Sequence, residues 1–229
     1  MADTRARALE SGGSSVDAVR RMVVAALERH GGRAATLVDV GCGRGELLAD
    51  LGARVERYVG VDVVRHDGFP ADRELLTVDV DTGKVPFPDD AADVVVCAET
   101  IEHVENPRAL VRELVRLARP GGWVFVTTPN QLSVASLSCL VARGEFQYFQ
   151  AAPGLYPAHI TALLEVDLRR ILAECGLESV EVAYSGAGRV PFSTRRWPRL
   201  LAATNGLRGR SFSDNVLVAG RKPARVTPN

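Results

Sequence analysis

No run of about 18 apolar residues occurs in the 229-residue sequence, so nothing in it reads as a membrane-spanning helix. Charge of one sign is also missing. The 28 Lys and Arg balance 28 Asp and Glu, and a net charge of zero argues against whole-body attraction to nucleic acid or lipid. Cys42, Cys97, Cys139 and Cys175 lie far apart with no Cys-x-x-Cys pair, which excludes a zinc knuckle and a disulfide framework as readings. The first ten residues hold no apolar stretch and do not read as a signal peptide. Histidine is scarce: His30, His66, His103 and His159 are all there is for imidazole chemistry. What remains is a globular composition, 46% hydrophobic and 24% charged, sufficient for one well-buried core. A soluble, cytoplasmic protein with a single core is expected.

Residues 1–13 read as a flexible arm and 14–229 as one domain. Ser14 or Ser15 is suited to cap a helix in which Val16, Val19, Val23, Ala26 and Leu27 keep helical spacing as far as His30-Gly31-Gly32. Short apolar runs then alternate with helical ones. Strands are expected at Thr36–Val40, Tyr58–Asp62, Leu75–Asp79, Asp93–Cys97 and Trp123–Thr127, with helices at Gly45–Leu51 and Asn106–Ala118. Continuous apolar strands fit a parallel sheet covered on both faces, so the fold class is α/β, doubly wound. Residues 131–157, with Phe146, Tyr148, Phe149 and Tyr156, break the rhythm and read as a lid, a substrate wall or a packed helical appendage. Thr161 is placed to cap a further helix, and Val180–Tyr184 and Asn215–Ala219 look like closing strands. Between them Arg189, Arg195, Arg196, Arg199, Arg208 and Arg210 occur without an acid, either a solvated loop or a patch for a phosphate or carboxylate of the substrate.

Leu37-Val38-Asp39-Val40 runs into Gly41-Cys42-Gly43-Arg44-Gly45 and then a helix start at Glu46. Strand, glycine-rich turn and helix N-terminus together present bare backbone and N–H groups to a ligand. A dinucleotide fingerprint fails, because the sixth position counted from Gly41 is Glu46 and that counted from Gly43 is Leu48. A carboxylate at Glu46 would also sit badly beside a pyrophosphate, so a hydride-transfer enzyme is disfavoured. Asp62, 17 residues beyond Gly45, is placed to accept both ribose hydroxyls of an adenosine. Asp79 can accept from an adenine amino group, with Val80 as its apolar edge. These groups suit a nucleoside without phosphates.

With these motifs in view, the sequence resembles the class I S-adenosylmethionine-dependent methyltransferases. The residues that carry the resemblance are Val38 to Gly45, Gly60-Val61-Asp62, Val85 to Cys97, Glu99-Thr100-Ile101-Glu102-His103-Val104 and Arg119-Pro120-Gly121-Gly122-Trp123. The resemblance implies a Rossmann-like seven-stranded sheet with the last strand antiparallel and a cofactor across the strand C-termini. It implies Asp39, Gly41, Cys42, Gly43 and Gly45 beside the methionine part. It further places Asp62 and Val63 at the ribose, Asp79 and Val80 at the adenine, and Ala98 and Glu99 facing the sulfonium.

Glu99, Glu102, His103 and His159 form a hard-oxygen and imidazole set suited to Mg²⁺ or another divalent cation, with His103 or His159 as an unassisted base in the alternative. The Glu-x-x-Glu-His run resembles two branches of the family, the ubiquinone-biosynthesis O-methyltransferases and the small-RNA 3′-end 2′-O-methyltransferases. The leading expectation is O-methylation of a small molecule, acidic or phosphorylated if the arginines contact it. RNA methylation is the alternative, weakened by zero net charge, and a non-catalytic cofactor-binding protein is the third.

Overall fold

The computed structural model describes residues 4–151, 155–199 and 207–225, the side chains of 7, 10, 11, 207 and 208 excepted. In chain order the elements are α1 (Thr4–Ser11), α2 (Asp17–Arg29), β1 (Ala34–Val40), α3 (Glu46–Leu51), β2 (Val55–Asp62), β3 (Glu74–Thr77), β4 (Ala92–Ala98), α4 (Pro107–Leu117), β5 (Ala118–Pro129), α5 (Val134–Arg143), α6 (Glu165–Glu174), β6 (Glu178–Tyr184), α7 (Leu207–Phe212) and β7 (Asn215–Arg221). The seven strands form one sheet in the order β3-β2-β1-β4-β5-β7-β6. Strands β1 to β5 pair in parallel, and β7 runs antiparallel to both β5 and β6.

Alternation along the apolar strands explains why both faces are covered. Val38, Val40, Val59, Val61, Val95 and Cys97 face one way, against Leu110, Leu114 and Leu117 of α4 and Leu168, Ile171 and Leu172 of α6. Leu37, Tyr58, Val94 and Val96 face the other, against Val19, Val23 and Leu27 of α2 and Leu47 and Leu51 of α3. A strand buried on both sides needs apolar residues at every position, which is the pattern the sequence carries. Strand order reverses between β1 and β4, the place where an open α/β sheet leaves a crevice beyond its strand ends.

Several local expectations need correction. Residues 4–11, read as part of a loose arm, are helical as α1, in keeping with Arg, Ala, Leu and Glu in that stretch. Neither Ser14 nor Ser15 caps α2, which begins at Asp17 with Val16 as its N-cap; the Ser14 hydroxyl donates to Glu46 instead. Thr161 does not cap α6, since its hydroxyl donates to the Val104 carbonyl at 2.7 Å and the helix starts four residues later. Strand β3 ends at Thr77, so Asp79 lies in the turn beyond it. Asn106 does cap α4, accepting from the Ala109 N–H at 3.0 Å, and Pro107 supplies the first helical position.

Candidate functional site

A cavity of about 320 Å³ lies across the C-terminal ends of β1, β2 and β4. Its lining contains Asp39, Gly41, Cys42, Gly43, Asp62, Val63, Asp79, Val80, Ala98, Glu99, His103 and His159, so nearly all the expected site residues share one space. Gly45 and Glu102 are not among the lining residues. Gly45 is the N-cap of α3 in the left-handed region, and its α-carbon faces Phe69 and Pro70.

At one end, carboxylates and backbone amides lock the glycine-rich turn in place. Asp62 Oδ2 accepts from the Gly43 N–H at 2.8 Å, and Oδ1 accepts from the Val63 N–H at 2.7 Å. The Gly41 and Cys42 amides donate to the Val61 carbonyl. Glycine is required at 43, where φ is +53° and a β-carbon would collide with the Gly13 carbonyl, the acceptor of the Arg44 N–H at 2.8 Å. Asp39 is buried and accepts from the Tyr58 hydroxyl at 2.6 Å; burial pushes its carboxyl up to about 7 despite that bond, with nearby Asp62 adding to the rise. Asp79 accepts from the Asp81 N–H at 3.0 Å, a local turn that holds its carboxylate at the cavity wall. Glu46 accepts from the Ser14 hydroxyl and from Arg20, so the acid that argued against a pyrophosphate is held at this end of the cavity.

The opposite end is assembled from distant parts of the chain. Glu99 follows β4 with φ +51°; its oxygens accept from Thr127 Oγ1 at 2.9 Å and Asn215 Nδ2 at 2.8 Å, and burial raises its carboxyl to about 7. Glu102 and His103 sit in a 3-10 turn after β4. The Ile160 and Thr161 amides both donate to the Glu102 carbonyl at 3.0 Å, which brings His159 alongside. Glu102, His103 and His159 each direct a ligand-type atom into a group whose members lie within 4.8 Å of one another. The Glu102 side chain is fully buried, with Oε2 accepting from Thr128 at 3.2 Å, whereas Oε1 and His159 Nδ1 are buried with no hydrogen-bond partner. His103 Nδ1 lies 2.8 Å from the Ala158 carbonyl, which can only accept, so Nδ1 carries a hydrogen and in the neutral ring Nε2 is the nitrogen with the lone pair. Burial, with His103 nearby, pushes His159 down to about 3, while burial and Glu99 push Glu102 well above the usual carboxylate range. Glu102 Oε1, buried without a hydrogen bond and 4.0 Å from His159 Nε2, stands with His103 in a compact oxygen and imidazole set of the kind that fits a cation. Of the four residues in the expected metal set, the structure gathers three; Glu99 is spoken for by Thr127 and Asn215 and stands outside the group.

Sequence reasoning passed over other lining residues. His66, to which the sequence assigns no role, is buried with Nε2 3.8 Å from Asp62 Oδ1. Its only signal was its position four residues after Asp62. Tyr148 and Asp214 both line the cavity, and Tyr148 sits under the Arg189 guanidinium, 5.8 Å from ring centroid. Of the arginine stretch, Arg189 and Arg196 reach the cavity. Arg210 turns away to Glu165 and the Tyr184 hydroxyl, Arg195 and Arg199 are exposed, and the side chain of Arg208 lies outside the described residues.

A family profile described as "Methyltransferase domain" matches residues 9–182. Over 127 residues the chain is 33% identical to a ubiquinone biosynthesis O-methyltransferase of Chromobacterium violaceum, covering 50% of this chain and 53% of that protein. A relative of the same name in Burkholderia pseudomallei is 31% identical over 160 residues, 64% of this chain and 66% of that protein. The chain thus spans about half to two thirds of the length of these curated relatives. The N-methyltransferase NodS of Bradyrhizobium japonicum WM9, solved with S-adenosyl-L-homocysteine, shares the fold with a TM-score of 0.58 at 18% identity, over 96% of this chain and 100% of that one. On the match over residues 9–182, the chain belongs to the methyltransferase-domain family, as a class I S-adenosylmethionine-dependent methyltransferase.

Proposed function

We propose that this chain transfers a methyl group from S-adenosylmethionine to a hydroxyl oxygen of a small molecule, with a divalent cation at Glu102, His103 and His159. When bound, S-adenosylmethionine supplies a methyl group already activated by its sulfonium. The residues then have three tasks: to hold the cofactor, to align an acceptor and to handle the acceptor's proton. For the first, Asp62 and Val63 face the ribose, Asp79 and Val80 the adenine, and Asp39 with Gly41, Cys42 and Gly43 the methionine part. Both Asp62 oxygens already accept backbone hydrogens and keep further lone pairs for hydroxyl groups. For the third, the observation that carries the reading is the compact group of Glu102, His103 and His159, in which Glu102 Oε1 is buried without a hydrogen bond 4.0 Å from His159 Nε2. A cation there would acidify an acceptor hydroxyl. Without one, His159 is a weak base because burial and His103 keep it neutral, so the unassisted-base alternative falls to His103.

Residues 131–157 supply the acceptor wall in this reading, through Tyr148 and Leu155. Arg189 and Arg196 supply positive charge for a carboxylate or phosphate on the acceptor. The four cysteines are all free, which suits the reducing cytoplasm, and no described helix is long and apolar enough to cross a membrane. The test is transfer of labelled methyl from S-adenosylmethionine to catechol and 3,4-dihydroxybenzoate, with and without chelator. Transfer that stops in chelator and returns with Mg²⁺ or Mn²⁺ supports the reading; full activity in excess chelator removes the cation from it.

A further inference from the structure

Helix α5 buries Ala135, Ser136 and Cys139 and turns Leu137, Leu140 and Val141 outward, the last 88% exposed. Beside it stands a hairpin closed by the Arg189–Arg196 bridge and by the Val190 N–H to Arg195 carbonyl bond of 2.9 Å. Its tip carries Phe192, 61% exposed and at φ +53°, a bulky residue held in solvent in a backbone region it disfavours. The Arg143 guanidinium, 5.5 Å over the Phe192 ring, joins the hairpin to the end of α5. Arg143 also donates to Gln150 at 2.6 Å, and the Gln150 carbonyl accepts from the N–H of Tyr156, itself half exposed. One continuous face therefore presents four apolar side chains, Leu137, Leu140, Val141 and Phe192, and Tyr156.

The same face is basic in a chain that is neutral overall. Residues 134–151 and 186–199 hold Arg143, Arg189, Arg195, Arg196 and Arg199 against the single acid Glu145. Among the described residues, Arg143, Arg195 and Arg199 are exposed and form no ion pair. Apolar side chains projecting from a ring of unpaired arginines match a bilayer interface, where the tips enter the acyl boundary and the guanidinium groups meet anionic headgroups. A second copy of the chain would set like-charged arginines against each other, and a nucleic acid would leave Val141 and Phe192 facing phosphates.

We propose that this face, formed by α5 and the Phe192 hairpin, docks the protein on an anionic lipid surface. Leu155, Arg189 and Arg196 line the acceptor end of the cavity, so that end lies at the docked face. The proposal does not depend on which reaction the cavity performs.

Co-sedimentation of the full chain with phosphatidylcholine vesicles, with and without about 30% phosphatidylglycerol, tests it. Binding is expected to the anionic vesicles, to fall steeply between about 0.1 M and 1 M salt, and to be weak on phosphatidylcholine alone. Each basic residue near the surface contributes roughly fivefold, so Arg195→Glu with Arg199→Glu should weaken binding by at least about 25-fold. Val141→Asp with Phe192→Asp, both at exposed positions, should weaken it about tenfold. Affinity for S-adenosylhomocysteine, measured by calorimetry, should be unchanged in all variants and shows that each is folded. Equal sedimentation of wild type and variants, or none with anionic vesicles, would overturn the proposal. So would a dimer, seen by light scattering, that the same substitutions dissociate.

Discussion

At the cofactor end of the cavity, Asp39, Asp62 and Asp79 are fixed by partners no more than 19 residues away. Asp62 holds Gly43 and Val63, Asp79 holds Asp81, and Asp39 meets Tyr58 on the adjacent strand. At the acceptor end the partners are far apart: Glu99 accepts from Asn215 and His103 meets the Ala158 carbonyl. The first end is a short stretch of strand ends and turns that the sheet cannot form without also forming the site. The second exists only once α6, β7 and the segment after α5 have packed. Damage to the first should therefore act on cofactor affinity, and damage to the second on turnover with the cofactor still bound.

The largest effect should come from Glu102→Gln. The side chain is fully buried and isosteric with its replacement, and its carboxyl is held toward the neutral form, so the thermal midpoint should hold or rise. Methyl transfer should fall on the order of 10³-fold if the group positions a cation for proton removal. S-adenosylhomocysteine binding by calorimetry should stay within about twofold of wild type. Loss of both binding and activity would erase the distinction between the two ends.

Asp62→Ala is the counterpart. Two backbone N–H bonds, one to each carboxylate oxygen, are lost together with the ribose contact, so affinity for S-adenosylhomocysteine should drop by about 10²-fold or more. The substitution also frees the Gly43 amide, so some stability should go with it. Unchanged affinity would remove the ribose assignment.

The contrast also explains what could be read from the chain alone. Asp39, Gly41, Gly43 and Asp62 stand at fixed offsets because the strand–turn–helix unit fixes them, and a linear string preserves such offsets. His66 escaped notice since nothing in its neighbours marks it as folding back over Asp62. Glu102, His103 and His159 were legible as residue types, but which of them meet depends on the Ile160 and Thr161 amides returning to the Glu102 carbonyl. Glu99 looked equivalent to Glu102 by spacing and is separated from it by Thr127 and Asn215, partners that lie on β5 and β7. The same limit applies to Arg210, which the fold turns onto Glu165, 45 residues earlier in the chain.

Asp39 gives a pH-dependent measure of the cofactor end. Its folded-state carboxyl is raised from 3.8 to about 7, so the folded protein holds this proton more tightly than the unfolded chain does. Its contribution is fully present below about pH 4 and is lost as pH rises through about 7, a total of about 4 kcal/mol for a shift of that size. Asp39→Asn should flatten that part of the stability profile in the protein without cofactor. A cationic amino group of the bound methionine part would favour the carboxylate, so cofactor binding near pH 6 should release a proton. Calorimetry in buffers of different ionisation enthalpy would detect it, and a buffer-independent binding enthalpy would separate Asp39 from the methionine end.

The smallest expected change sharpens the acceptor end. Arg189 is exposed, lines the cavity, and stacks over Tyr148, which burial and Asp214 keep protonated well above its usual range. Removing the guanidinium takes away one charged contact to an acidic acceptor and leaves the cation-binding group untouched. Arg189→Ala should therefore raise KM for 3,4-dihydroxybenzoate about tenfold, the size of one exposed charge-assisted hydrogen bond, with kcat little changed. Catechol, which lacks the carboxylate, should be unaffected, and that is the control that separates charge recognition from loss of the Tyr148 stack. Equal losses on both acceptors would assign Arg189 to supporting the Tyr148 ring, and the acceptor would need no anionic group.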